Sequence, residues 1–136
     1  MAEDRVQVGL PEESNALIKV LKEETSYFNS EADVYRVATA VTLAKKLRVS
    51  DGLLGTPTVT KFRTLRPESE GREDRLDTPD RRFASMVRLF YPEASEEPYR
   101  YSQFLAHIGI NLLHQELIVH GKTLSQVIED SWEVVE

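Results

Sequence analysis

Three histidines are the side chains of this sequence best suited to metal binding or proton transfer. His107 and His114 are seven residues apart and share one helix face, but no histidine or acid lies four positions from either, as a zinc-ligand pattern requires. His120 lies further round the helix, and no acidic partner is identifiable that would make His107 a base. We therefore expect no metal and no cofactor, and interpret His107 as a hydrogen-bonded core or interface residue.

The carboxylates do not form a catalytic pattern either. They occur in EEPY, GREDRLDTPD and IEDSWE, where loops or polar helix faces expose them to water. No GxxxxGKS, GxGxxG or GxSxG motif is present, and the chain has no cysteine to act as a nucleophile or thiolate ligand. The sequence therefore predicts a protein that is not an enzyme.

Two groups of polar and basic residues could instead contact DNA. Arg5 and Gln7 alternate along one side of a short strand, and both can hydrogen-bond to base edges. Lys61, Arg63 and Arg66 lie in TKFRTLR, where an extended chain could hold a phosphate backbone. The alternative for both groups is a strand face that is simply solvated.

Composition limits the protein class. The chain has 136 residues, of which 40% are hydrophobic and 29% charged, as is usual for one folded domain. The formal net charge of -6 opposes general coating of nucleic acid, but residues 83–136 carry most of the excess, with three basic and eight acidic side chains. No leader pattern and no apolar run of roughly 20 residues is present, so we expect a cytoplasmic protein without a membrane contact.

The N-terminal part, residues 5–48, predicts a strand followed by two helices. Residues 5–10 alternate in polarity, Pro11 and two glutamates begin a helix over 11–28, and Ser30 with Asp33 caps a second helix over 31–47. The backbone amides at the Ser30 end could bind a phosphate. Because one short strand leaves its edge unpaired, we expect residues 5–10 to pair with a second copy of the chain.

The remaining sequence predicts a loop, a second strand and about three further helices. Residues 50–57 form the loop, residues 58–65 alternate as an extended segment, and residues 67–80 are too polar to be buried, so an exposed, mobile loop is expected. A helix capped by Thr78 or Asp80 follows and stops at Tyr91. A longer helix spans 99–120, and Thr123 caps the last one. The residues expected to face inward include Phe83, Phe90, Phe104, Leu112, Ile128 and Trp132.

The predicted fold is therefore mainly α in a single domain, residues 1–136. It consists of a strand-helix-helix unit over 5–48, an extended arm and charged loop over 49–82, and a helical part over 83–136. Residues 5–48 resemble the ribbon-helix-helix superfamily, through RVQVGLPEE and through NSEADVYRVATA, in which Ser30, Val34, Arg36 and Ala38 are similar to the second-helix signature.

Most of the chain also resembles the E subunit of bacterial DNA phosphorothioation (sulfur modification) systems, a variant of the ribbon-helix-helix fold. The matching segments are VYRVATAVTLA, residues 34–44, and FLAHIGINLL, residues 104–113. This resemblance implies a non-enzymatic, oligomeric subunit that binds double-stranded DNA, prefers nicked duplex, and works beside sulfur-transfer and ATPase subunits. The alternatives are an adaptor that docks a partner protein without touching DNA, and a ribbon-helix-helix repressor.

Overall fold

A computed structural model describes residues 7–64, 76–78 and 80–132 of the chain. The prediction of a mainly helical protein with short extended segments is confirmed. The elements are, in chain order, β1 (Gln7–Leu10), α1 (Glu12–Glu24), α2 (Glu31–Ala44), α3 (Asp51–Leu54), β2 (Val59–Arg63), α4 (Arg82–Phe90), a 3-10 turn (Pro92–Ala94), α5 (Pro98–Leu113), its π-helical continuation (His114–Val119) and α6 (Leu124–Trp132).

The first strand pairs with the second strand of the same chain. β1 and β2 are antiparallel, with Gln7 opposite Arg63 and Val8 opposite Phe62, and a bulge follows Val8. Gly9 is needed in this ribbon because a Cβ there would overlap the backbone of Val59. Residues 5 and 6, which the sequence also assigns to this strand, lie outside the described residues.

The other edge of β1 is covered by α5. The backbone N–H of Gly9 donates to the side-chain oxygen of Gln103 at 2.9 Å, and Gln103 is fully buried. The premise that β1 lacks a pairing partner in its own chain is therefore wrong, because β2 pairs with it and Gln103 accepts from Gly9. Sequence could not show this, since the two partners lie about 50 and 94 residues away.

Helix α1 is shorter than the sequence predicts. It ends at Glu24, and the hydroxyl of Thr25 donates back to the carbonyl of Leu21 at 2.6 Å. Phe28, which the sequence places at the end of this helix, lies beyond it and is still buried. Its fully buried face is centred on Ser14, Ile18 and Leu21. The spacing of four and three residues is helical, but a serine takes a position that hydrophobicity alone would not select.

Helices α2 and α5 form the centre of the core. The Thr42 hydroxyl donates to the carbonyl of Leu105 at 2.7 Å, and the Tyr35 hydroxyl bonds with Ser102 at 2.7 Å. Gly109 lies directly against the backbone of Ala38, so the two helices touch without an intervening side chain. Ser30 caps α2 as predicted, by accepting from the N–H of Asp33 at 3.1 Å, although the helix ends at Ala44 and not at Leu47.

Two residues shortly before α4 are buried, contrary to the expectation of an exposed loop over 67–80, whereas Thr78 and Asp80 are exposed as expected. Leu76 and Asp77 are almost fully buried, while most of the loop lies outside the described residues. The Asp77 carboxylate accepts hydrogen bonds from the N–H groups of Phe83 at 2.9 Å and Ala84 at 3.1 Å. Asp77 therefore satisfies two N–H groups in the first turn of α4. Of the two caps that the sequence suggests, Thr78 accepts from the N–H of Arg82 at 3.5 Å, whereas Asp80 bonds to the Arg82 side chain.

The C-terminal helices follow the prediction more closely. α5 continues through a π-helical turn to Val119, and Gly121 adopts a positive φ of 69° beyond it. Thr123 caps α6 as predicted, since it accepts from the N–H of Gln126 at 3.2 Å while Gln126 accepts from the N–H of Thr123 at 2.9 Å. The predicted loop over 50–57 contains the short helix α3, capped by Ser50.

Among the helices of the described segments, none has the length and apolarity needed to cross a membrane.

Candidate nucleic-acid interface

Two of the predicted DNA-contacting residues, Gln7 and Arg63, occupy paired positions at one end of the β1–β2 ribbon. Gln7 is exposed and faces the position of Arg63 across the ribbon, while Val8 and Phe62, their neighbours, are buried. Within β1 only Gln7 is exposed, since Val8, Gly9 and Leu10 are all buried. The pairing joins residues from the two groups that the sequence could only propose separately.

Lys61 does not lie in line with Arg63. It is the extra residue of the bulge, since Phe62 pairs with Val8 and Thr60 with Gly9. A bulge redirects the side chain that it leaves unpaired. The Lys61 ammonium accordingly forms an ion pair with Glu31 at 2.8 Å and keeps about a fifth of its side chain exposed. Its charge is therefore already balanced, which weakens it as a phosphate contact.

Ser30 lies beside that ion pair, at the start of α2. Its hydroxyl is used to cap the helix, and Glu31 and Asp33 place two carboxylates in the first turn. Asp33 is also paired with Arg36. Because these acids already interact with the positive end of the helix, the predicted phosphate site at this end is weakened by competing negative charge.

Two other predicted contact residues, Arg5 and Arg66, lie outside the described residues, as does the side chain of Arg63. Arg5 precedes Gln7 by two positions, and Arg66 follows Arg63 by three. The backbone nevertheless places Arg63 on the ribbon directly opposite Gln7. The structure thus pairs the positions of Gln7 and Arg63 across the ribbon. It also places Lys61 in an ion pair with Glu31, the residue that follows Ser30.

A second surface was missed by the sequence analysis. It is a groove of about 980 Å³ between the C-terminal ends of α2, α4 and α6, lined by Lys45, Lys46, Leu47, Arg48, Leu89, Phe90, Tyr91, Asp130 and Trp132, among others. The sequence assigns Phe90 and Trp132 to the buried side of their helices, which is wrong: they are 44% and 58% exposed. The only sequence signal was a run of basic residues after α2, which also suits the end of a helix.

Aromatic contacts shape this groove. The Phe90 and Trp132 rings meet edge to face at 6.1 Å, and the Arg48 guanidinium lies 5.0 Å from the centre of the Tyr91 ring. Arg48 also forms an ion pair with Glu93 at 3.0 Å. Burial raises the pKa of the Tyr91 hydroxyl above its usual value, so this side chain stays neutral at physiological pH.

The pairing of His107 with Ser14 is the arrangement closest to a catalytic one. The Nδ1 atom of His107 lies 2.8 Å from the Ser14 hydroxyl, which also bonds to the carbonyl of Pro11 at 3.2 Å. Ser14 is fully buried, so no substrate could reach its oxygen. The pair therefore joins α1 to α5, in agreement with the interpretation of His107 as a hydrogen-bonded core or interface residue.

This pair predicts a pH dependence of stability. Burial lowers the pKa of His107 below 6.5, so protonation favours the unfolded chain. The contribution of the neutral ring is complete above about pH 6.5 and is lost as the pH falls toward the lowered pKa. We expect the urea midpoint to decrease between pH 7.5 and pH 5.5, and His107→Gln to reduce that decrease. His120→Gln, at an exposed position, is the control; an equal decrease in all three proteins would contradict the prediction.

The chain has no significant match to a protein-family model, to a curated protein or to a solved structure. Across residues 7–64, 76–78 and 80–132, no three His, Asp or Glu side chains meet in a way that could hold a metal ion. Function is therefore inferred from the residues and contacts described above.

Proposed function

We propose that this chain is a non-enzymatic DNA-binding subunit of a bacterial DNA-modification or antiphage defence complex, acting in the cytoplasm. The observation that supports the proposal is the β1–β2 ribbon, in which Val8 and Phe62 are packed in the core and the exposed Gln7 is paired with the position of Arg63. The resemblance to the phosphorothioation E subunit supports the type of complex, the preference for nicked duplex, and sulfur-transfer or ATPase subunits as partners.

A two-stranded antiparallel ribbon has the width to enter the major groove of DNA. Glutamine can make two hydrogen bonds to adenine, and arginine can make two to guanine. In ribbon-helix-helix proteins the two strands come from two copies, whereas here one chain supplies both. A single copy could therefore present the surface that reads DNA. We retain self-association as part of the proposal, and it would use another surface.

The test is fluorescence anisotropy with labelled duplexes, intact and nicked, at several salt concentrations. We expect Arg63→Ala to weaken binding about tenfold and Gln7→Ala by a smaller factor, because each loses contacts to a base edge or phosphate. Arg63→Ala should also reduce the salt dependence by about one unit of slope if the arginine contacts a phosphate.

The double variant Lys19→Ala/Lys22→Ala is the control, because it removes two exposed cations that lie in α1 and belong to neither strand. It should bind nearly as tightly as the parent protein. Normal binding by the Gln7 and Arg63 variants would overturn the ribbon as the contact surface. Absence of binding to either duplex at low salt would overturn the DNA-binding function itself.

The second candidate is an adaptor subunit that docks a partner protein and makes no contact with DNA. The groove between α2, α4 and α6 favours it, because exposed aromatic and aliphatic side chains are concentrated there. An adaptor should show no binding to duplex at low salt and should still purify together with a neighbouring subunit.

A further inference from the structure

The groove between the ends of α2, α4 and α6 carries a concentration of exposed apolar side chains. Leu89 is 74% exposed, and Phe90, Trp132 and Leu47 are exposed to 44%, 58% and 38%. These four are half of the eight large hydrophobic residues found exposed in the described part of the chain. Single exposed apolar residues are ordinary, but a contiguous apolar groove indicates a surface that a partner covers.

Some charged side chains of the groove have ion-pair partners and others do not. Its acidic residue Asp130 is paired with Lys122 at 3.4 Å, and Arg48 is paired with Glu93 at 3.0 Å. Lys45 and Lys46 are exposed and form no ion pair with any acid in the described segments. Lys45 is close enough to Glu116 to contribute to lowering its pKa, although the main cause is the hydrogen bond from Lys122. Lys45 and Lys46 therefore give the groove a positive charge that is complementary to an acidic occupant.

The geometry favours a polypeptide over a nucleic acid. The C-terminal residues of three helices, α2, α4 and α6, line the groove. A strand of nucleic acid needs a series of cations along its backbone, whereas among the described residues that line the groove only Lys45 and Lys46 are cations without an ion pair. Two of the four exposed apolar residues are leucines, which offer no ring on which a base could stack.

We propose that this groove binds a short acidic segment of a partner protein, one whose apolar side chains contact Leu89, Phe90 and Trp132 and whose carboxylates pair with Lys45 and Lys46. This is the usual form of a peptide that lies in an apolar groove with charged residues at its rim. The groove residues are separate from β1 and β2, so the proposal holds whether or not the ribbon contacts DNA.

The test uses the full chain, immobilised, to select from a phage library of random 16-residue peptides. We expect the enriched peptides to combine aspartate or glutamate with apolar residues at spacings of three and four. The most enriched peptide, synthesised with a fluorescent label, should bind the chain in solution, and Trp132→Ala should weaken that binding at least tenfold. Lys45→Gln/Lys46→Gln should weaken it by a similar factor and make it insensitive to salt.

Each variant has a matched control. Val119→Ala removes an exposed apolar residue outside the groove, and Lys19→Gln/Lys22→Gln neutralises two exposed lysines of α1; both should bind the peptide as the parent does. Circular dichroism establishes that every variant remains folded.

Three results would overturn the proposal. The first is a selection that enriches no peptide, or only peptides that the groove variants bind normally. The second is binding of a labelled oligothymidylate that Trp132→Ala and Lys45→Gln/Lys46→Gln abolish, which would assign the groove to single-stranded nucleic acid. The third is a dimer in sedimentation equilibrium that Leu89→Glu dissociates, which would assign it to a second copy of the chain. None of these results bears on the ribbon variants.

Discussion

Replacing Gly109 by alanine is expected to lower the free energy of unfolding by about 3 kcal/mol, the upper end for overpacking a close contact. A Cβ at this position would overlap the carbonyl of Ala38 and lie 2.8 Å from its Cα atom. The helices would have to separate, which would strain the bond from Thr42 to the carbonyl of Leu105 and the bond between Tyr35 and Ser102. Urea unfolding followed by circular dichroism measures the change.

Gly52→Ala is the matched control for this substitution. A Cβ at Gly52, in α3, would meet nothing within 4 Å, so the same chemical change should leave the unfolding midpoint nearly the same or slightly higher. Since a domain of this size is stabilised by only about 5–15 kcal/mol, Gly109→Val, with a larger side chain, should not fold. Equal midpoints for Gly109→Ala and the parent protein would show that α2 and α5 are not in backbone contact.

Asp77→Ala is expected to lower the free energy of unfolding by a comparable amount, about 3 kcal/mol, because it leaves several buried donors without an acceptor. The carboxylate accepts from the N–H groups of Phe83 and Ala84 and from the Tyr99 hydroxyl at 2.7 Å. It thereby links the start of α4 to α5. Hydrogen bonds to a charged, buried acceptor are among the strongest in proteins.

Asp80→Ala tests whether this effect depends on position. Asp80 is also an acid just before α4, but it is exposed and bonds to Arg82 at the surface. Its removal should leave the urea midpoint nearly unchanged. Asp77→Asn should be intermediate, because it keeps one acceptor oxygen and adds a donor that faces other donors. If Asp77→Ala and Asp80→Ala had equal midpoints, the capping role of Asp77 would be wrong.

The two surfaces differ in how far sequence could find them. Alternation in residues 5–10 and 58–65 indicates both strands and selects Gln7, Lys61 and Arg63 as candidates for DNA contact, but it does not show how the strands pair. The groove left almost no signal. Phe90 and Trp132 occupy positions that helical periodicity assigns to the core, and only the ends of three separate helices show that those positions face an open groove.

The sequence by itself determined the elements whose causes are local. The Ser30 and Thr123 caps depend on side chains three residues from the amides they bind, and the buried faces of the helices follow a repeat of three and four residues. A mainly helical class followed from these patterns.

Tertiary structure alone decided which distant groups meet. The partner of β1, the acceptor for Gly9 at Gln103, the burial of Asp77 and the groove all depend on residues brought together across about 20 to 94 positions. Backbone donors and carboxylates have the same hydrogen-bonding capacity wherever they lie, so their types cannot specify their partners. Only the packing of α5 against α2 and β1 selects the partners, because it buries some of these donors and carboxylates away from water and leaves other donors and carboxylates exposed.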